Sequence, residues 1–252
     1  MKIKISALTD VGKERTNNED AFIYCSNLLQ QNWSVASATD YVELGDLGAL
    51  LVVADGMGGH NSGEVASSDA LHNLHFFFND IPAGLTAGEF NEMMVVWLES
   101  INNIVDSKGR VDERFKGMGT TLVGIAYYGG NFFSLNCGDS RLYRLRNGSL
   151  QQLTTDHSLN NMLGSTKHCS IITNCIGGGN KNSYLDIVKM TDEIQPSDIY
   201  LLCSDGLSDM LSDQQIETLL KSGADADALC QAAIEAGGFD NVSACVIDVK
   251  SE

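Results

Sequence analysis

The chain has 252 residues, 43% of them hydrophobic, with no tract of biased composition, so it can build one large core and offers no linker at which to divide it. Its 16 basic residues against 33 acidic ones leave a formal charge of −17, a balance that repels a phosphate backbone and excludes nucleic acid as a partner. No uninterrupted apolar stretch approaches the roughly 20 residues that cross a bilayer, and the N-terminus Met1-Lys2-Ile3-Lys4-Ile5 lacks a signal-like apolar core; a cytoplasmic protein with no membrane partner is expected.

Residues 3–8 alternate weakly through Ile3, Ile5 and Ala7 and predict a first strand, followed by a polar loop from Thr9 and a short strand at 21–25. The loop, TDVGKERTNNED, ends in the adjacent carboxylates Glu19 and Asp20 and carries Arg15 just before them. Residues 26–47 are polar and irregular and read as a long connection or an insertion. The run ALLVVA at 49–54 has the length and β-branched content of a buried strand and stops at Asp55-Gly56, with Gly58 and Gly59 close behind. A carboxylate is thereby presented at a strand end, where glycines let the backbone approach whatever it holds.

Asn61 or Ser62 caps a helix whose Val65, Leu71, Leu74 and Phe78 fall at helical spacing. Past Gly84 a second helix carries Phe90, Met93, Met94, Trp97, Ile101 and Ile104 in one stripe, and both stripes read as core covering one face of a sheet. From Gly117, short strands at 120–127, 131–137, 141–145 and 150–153 predict an antiparallel meander with hairpin turns at Gly129-Gly130 and Asn147-Gly148. Its second strand stops at Gly138-Asp139. Residues 154–183 are polar, glycine-rich and irregular and read as a mobile surface segment. A buried-type strand at 199–203 ends in Ser204-Asp205-Gly206, with Asp209 beyond it, and Ser212 opens a helix with a capping-box pattern. A further helix at 225–236 precedes Gly237-Gly238-Phe239-Asp240, which introduces a final strand at 242–249.

Asp55, Asp139, Asp205 and Asp240 thus all stand at strand edges close to glycines. Like charges converge only if something positive lies between them. Hard oxygen donors without histidine or cysteine at ligand spacing select Mg2+ or Mn2+ over zinc, and the one zinc-like grouping, His168 with Cys169 and Cys175, is poorly spaced. Asp156-His157-Ser158 makes no catalytic triad, because neighbours on an extended chain point apart. Gly177-Gly178-Gly179-Asn180 lacks the Gly-Lys-Ser/Thr of a phosphate-binding Walker loop. Seven cysteines, none in a CxxC pair and several inside apolar runs, fit buried thiols in a reducing compartment.

The stretches RTNNED, VADGMGGHNSGEVAS, GMGTTL, NCGDSRLYRLRNG, LTTDHSL, LLCSDGLSDML and GGFDNVS resemble, in the family's order and over nearly the whole chain, the motifs of metal-dependent protein serine/threonine phosphatases of the protein phosphatase 2C type, in their compact bacterial branch. The resemblance implies one catalytic domain over 1–252 with an α+β fold, a four-layer α-β-β-α sandwich of two antiparallel sheets flanked by helices. It implies that Asp55 bridges two Mn2+ or Mg2+ ions, with the Gly56 carbonyl on one and Asp205 and Asp240 on the other. Glu19 and Asp20 would hold metal-bound waters, and a third, looser ion would use Asp139 and Asp205 with Asp209. Arg15 would grip the substrate phosphate and Asn241 would brace the Asp240 loop. The implied reaction is hydrolysis of phosphoserine and phosphothreonine in protein substrates by a metal-bridging hydroxide, without a covalent phosphoenzyme. A monomer opposed by a serine/threonine kinase is expected. A phosphoprotein-binding pseudophosphatase is the alternative, and the complete set of aspartates speaks against it.

The chain departs from the family in two places. Animal relatives place a histidine directly after the DG, where this chain has Met57, so that either His60 or a metal-bound water protonates the leaving oxygen. Relatives also carry a longer helical flap with an arginine after DHSL; here an arginine-free segment leads into Ile172-Thr173-Asn174-Cys175-Ile176-Gly177. A shortened flap around 160–183 and a more open cleft are expected.

Overall fold

The structure is a computed structural model that describes residues 2–25, 37–44, 48–58, 62–164 and 171–250. The chain runs β1 (Lys2–Asp10), β2 (Asp20–Cys25), β3 (Ser37–Glu43) and β4 (Ala49–Met57), then the two longest helices, α1 (Gly63–Asn79) and α2 (Ala87–Val111). Next come β5 (Gly119–Thr120), β6 (Leu122–Tyr128), β7 (Asn131–Cys137), β8 (Arg141–Arg146) and β9 (Ser149–Gln152). The short helix α3 (Leu159–Leu163) and strands β10 (Ile176–Gly177) and β11 (Asp186–Lys189) lead to β12 (Ile199–Cys203). Helices α4 (Asp205–Ser208), α5 (Asp213–Lys221) and α6 (Ala226–Ala236) precede β13 (Val242–Lys250).

These strands form two antiparallel sheets, one in the order β3-β1-β13-β12-β8-β9 and one in the order β10-β5-β4-β6-β7-β11 with β2 beside β4. Successive strand side chains point to opposite faces, so a strand that is apolar throughout needs a separate core on each side. In β4, Leu50, Val52 and Ala54 pack with Phe90 and Trp97 beneath α1 and α2. Ala49, Leu51 and Val53, on the other face, enter the core between the sheets with Ile5, Leu202 and Ile247. In β13 the same alternation sends Cys245, Ile247 and Val249 to that central core. Its Val242, Ala244 and Val246 go to a third core with Ile216 of α5 and Leu229 of α6. Three cores stacked in this way make the four-layer α-β-β-α sandwich that the sequence motifs led one to expect.

Helix α2 begins with a capping box between Thr86 and Glu89 and buries Phe90, Met94, Trp97, Leu98, Ile101 and Val105. Trp97 also donates its indole N–H to Asn73 of α1 at 2.9 Å, which joins the two helices. The predicted stripe was one position out at its end: Ile104 is 40% exposed and Val105 is buried in its place.

Residues 37–43, expected to be irregular, form strand β3, paired with β1 from Lys2↔Glu43 to Leu8↔Ser37. An edge strand pairs through its backbone, and the polar sequence SATDYVE carries little apolar alternation to announce it. Residues 26–36 and 45–47 lie outside the described residues. The predicted strand at 120–127 is interrupted at Thr121, and the segment expected to be irregular contains α3 and β10. Strand β11 was not foreseen; its pairing with β7 leaves three of its four residues exposed. Six cysteines are buried and none is in a disulfide, while Cys169 lies outside the described residues. Among the described residues no helix is long and apolar enough to cross a membrane.

Candidate metal centre

The aspartates singled out in the sequence meet at one end of the two sheets. Asp20 and Asp55 are register partners on β2 and β4. Asp205 opens α4 directly after β12, and Asp240 lies just before β13, the strand paired with β12. Asp139 sits in the turn that carries the chain from β7 in one sheet to β8 in the other. Close backbone packing holds these ends. A Cβ on Gly56 would stand 2.2 Å from the Gly63 carbonyl oxygen and 2.5 Å from that of Glu19. One on Gly206 would stand 1.9 Å from the Asn241 carbonyl oxygen. Only glycine fits at either place.

Thr121, the break between β5 and β6, ties together the segments that carry Asp55 and Asp139. Its hydroxyl accepts from the Asp55 backbone N–H at 3.0 Å and lies 2.7 Å from the Ser140 hydroxyl. Its own N–H donates to the Asp55 carbonyl at 2.8 Å. Asp20 is buried with its Oδ2 2.7 Å from the hydroxyls of both Ser204 and Ser243.

Burial and mutual repulsion push the carboxyls of Asp20, Asp55, Asp139 and Asp205 upward. Loss of hydration, with help from Asp205 and Asp240 and against the two serine hydroxyls, raises Asp20 to about 7. Loss of hydration and the Asp205 charge raise Asp139 to about 7. Asp55 is raised well above the ordinary carboxyl range by desolvation and then by Asp20, Asp205 and Asp139. Asp205 is raised by desolvation and by Asp209 and Asp240, and is partly relieved by a hydrogen bond from Asp55. A bond between two carboxyls requires one of them to be protonated. Among the described residues no three His, Cys, Asp or Glu side chains already stand as a set that could hold an ion.

The residues fit a divalent cation on two further observations. Oδ1 of Asp139 is buried and has no hydrogen-bond partner among the described residues, a costly state for a carboxylate oxygen. The convergent donors are all oxygens, the set preferred by Mg2+ and Mn2+. Either ion in their midst would reverse the upward shifts.

Arg15 stands at the rim, its Nη2 2.7 Å from Asp240 Oδ2, with 54% of its side chain exposed. Its contact with Asp240, more than with any other group, raises its pKa. Asn241 is buried and braces more than the Asp240 loop: its amide donates to the carbonyls of Val11 at 3.0 Å and Asn17 at 2.9 Å. Its Oδ1 accepts from the Glu19 N–H at 2.8 Å. Glu19 is raised first by desolvation and next by Glu64, and is held by the Gly63 N–H at the start of α1. Asp209 caps α4 and lies close enough to raise both Asp205 and Asp139. His60 lies outside the described residues, as do Gly59, Asn61 and the His168-Cys169 pair.

Sequence reading missed the supporting shell: Thr121, Ser140, Ser204 and Ser243, together with His157 and Asn174. Ser204 and Ser243 each sit within three residues of a recognised aspartate, which is a signal, but hydroxyl residues are too common near turns for it to have been decisive. His157 was weighed only as a triad member with its chain neighbours. Its actual partners, Asp186 and Asn174, are 29 and 17 residues away.

Over residues 37–234 the chain matches the family described as Protein phosphatase 2C. It is 33% identical over 263 residues to Protein phosphatase PhpP of Streptococcus pneumoniae, a similarity that covers 99% of each chain. Its fold is similar to that of the S. agalactiae serine/threonine phosphatase, with a TM-score of 0.79 and 30% identity over 98% of this chain and 100% of that one. A structure of the catalytic domain of the serine/threonine protein phosphatase PstP in complex with 2 manganese ions aligns with a TM-score of 0.76 and 30% identity over 99% of each chain.

Proposed function

Since the chain belongs to the protein phosphatase 2C family, we propose that its carboxylate cluster is the metal centre at which phosphoserine and phosphothreonine residues of protein substrates are hydrolysed. The protein is a metal-dependent protein serine/threonine phosphatase. The observation that carries the site assignment is the buried, mutually raised set of Asp20, Asp55, Asp139 and Asp205, with an unpartnered carboxylate oxygen on Asp139.

In this reading Asp55, the Gly56 carbonyl, Asp205 and Asp240 hold two ions, Mn2+ or Mg2+, and Asp139, Asp205 and Asp209 hold a weaker third. When bound, the ions supply positive charge for the phosphoryl oxygens and a water acidic enough to attack phosphorus. The protein's own groups do the rest. Arg15 lies beside Asp240, and its planar fork keeps further N–H donors to align a phosphoryl oxygen at the rim. Asn241 fixes the backbone of Glu19, and the serine pair fixes the Asp20 carboxyl, so both acids are held at set places from which they would hold metal-bound waters. His60 is the side-chain candidate for protonating the leaving serine or threonine oxygen.

We infer a short flap around 160–183 and an open cleft. This is supported by α3, which spans only Leu159–Leu163, and by Asn102 of α2, which anchors the later segment through Gly177 N–H at 2.7 Å and the Asn180 carbonyl at 2.9 Å. A serine/threonine kinase that makes the phosphoprotein substrates is the expected partner.

The test is hydrolysis of a phosphothreonine peptide with Mn2+ or Mg2+, with EDTA, and with Asp205→Asn or Asp240→Asn. Turnover is expected with metal alone, lost with EDTA and reduced by about three orders of magnitude or more in either variant, a loss of some 4 kcal/mol of barrier lowering. Turnover unaffected by EDTA, or none in any metal, overturns the reading; peptide binding without turnover would favour the pseudophosphatase.

A further inference from the structure

His157 is buried in the family-like stretch LTTDHSL, away from the strand ends that supply the acids, yet it holds the turn that carries one of them. Its backbone N–H donates to the Gly138 carbonyl at 2.9 Å, and the Gly138 N–H donates back to its Nδ1 at 3.1 Å. The amide of Asn174, itself 1% exposed, approaches the same Nδ1 at 2.8 Å. Two donors at one ring nitrogen leave no room for a proton there, so the proton is on Nε2, 2.9 Å from Asp186 Oδ2. The Asp186 carboxylate thereby selects the tautomer that can accept from Gly138, the usual task of a carboxylate behind a working histidine.

The held turn has no slack. Gly138 has φ of +125°, and a Cβ there would stand 2.6 Å from Thr121 Cβ. Thr121 in turn carries the Asp55 backbone and Ser140. The next residue after Gly138 is Asp139, the carboxylate with a buried, unpartnered oxygen. Asn174 is also fully engaged on the far side, donating to the Tyr184 carbonyl at 2.8 Å and accepting from the Tyr184 N–H at 3.1 Å. The ring of Tyr184 lies 4.7 Å from that of His157.

We propose that His157, oriented by Asp186 and Asn174, is a positioning residue for the Asp139 carboxylate, so that the segment from Asn174 to Asp186 contributes to the affinity of the weakest cation site. The inference rests on the reading of Asp139 as a ligand of that site. It makes the shortened segment after the flap part of the metal centre's support, although none of its residues is a ligand.

The experiment is a Mn2+ titration of the full-length protein read by electron paramagnetic resonance of the unbound ion, which separates tight from weak binding without reference to turnover. Asp139→Asn is expected to weaken the weakest class at least about tenfold and to leave the tight ions in place. His157→Gln, whose polar end reaches the Nε2 position and leaves Gly138 without an acceptor, is expected to weaken the same class by about tenfold. His157→Asn, which restores an oxygen near the Nδ1 position, is expected to recover most of that affinity. In the Asp139→Asn background, His157→Gln should cause no further loss. Asp186→Ala, at an exposed position of β11, should weaken the class several-fold and serves as the test if His157→Gln does not fold.

A shift with Asp139→Asn but none with His157→Gln or Asp186→Ala overturns the inference and leaves the site intact. Losses that add in full in the double variant, or His157→Asn as damaging as His157→Gln, show His157 to be merely structural. No shift with Asp139→Asn itself overturns the reading on which the inference rests.

Discussion

At the scale of single residues, the chemistry of this protein lies in a few charged groups whose surroundings differ sharply. Arg15 is exposed and its side chain pairs at the rim with Asp240, so its removal should leave the fold intact. Arg15→Ala should raise KM for a phosphopeptide about tenfold, the worth of one charge-assisted hydrogen bond, with kcat and melting temperature little changed. A fall in kcat with unchanged KM would remove Arg15 from ground-state binding. Asp198 is the opposite case, 1% exposed and gripped by Arg146 through two contacts of 2.7 Å. Burial alone would raise its pKa, but Arg146 and the Gln195 N–H outweigh burial and lower it. A carboxyl lowered in the folded state stabilises above its unfolded value of about 4, and that contribution disappears as the pH falls through the folded value. Asp198→Asn should therefore destabilise by about 3 kcal/mol at pH 7 and lessen the further loss of stability in acid, measured by urea unfolding from pH 7 to 3. The acids beside strand-end glycines were legible in the sequence because an apolar run that stops at an aspartate is unusual. The serines around Asp20 were not, because nothing local distinguishes them from any turn serine.

At the scale of elements, periodicity did most of the work. The long strands and helices lie where alternation and helical spacing put them, to within three residues, because each is organised by its own buried face. Trp97 marks the α1–α2 contact, 1% exposed and hydrogen bonded to Asn73. Trp97→Ala should cost about 3–5 kcal/mol by denaturant unfolding; a loss below about 1 kcal/mol would mean that the helices do not rely on this contact. The joints between elements are the more brittle part. Gly56→Ala forces a Cβ into the first turn of α1 and into Glu19, and should abolish metal-dependent turnover even where the protein still folds by circular dichroism. Full activity in Gly56→Ala would contradict the close packing of β4 on α1. Strands β3 and β11 escaped sequence reading for one reason: each pairs at a sheet edge through its backbone, and its side chains carry little apolar alternation.

At the scale of the whole molecule, the proposed metal centre would link stability to function, since an ion that binds only where distant strands meet stabilises the folded chain by mass action. Saturation at about 100 times the dissociation constant adds about 2.7 kcal/mol, or very roughly 5–10 °C for a domain of this size, and EDTA should reverse it. Asp205→Asn should abolish the rise, and a wild-type melting temperature indifferent to Mn2+ would contradict a centre built from these strand ends. What the sequence determined by itself was what depends on neighbours along the chain: the strands that are apolar on both faces, the amphipathic helices, the capping box at Ser212, and the carboxylates set beside glycines at strand ends. What the tertiary structure alone decided is that Asp20, Asp55, Asp139, Asp205 and Asp240 meet, and that His157 serves the Asp139 turn from across a loop. The reason is physical. Alternation and spacing encode which face of an element is buried, whereas the meeting of strand ends depends on the order of strands in two sheets, which only the packing of three cores against one another selects.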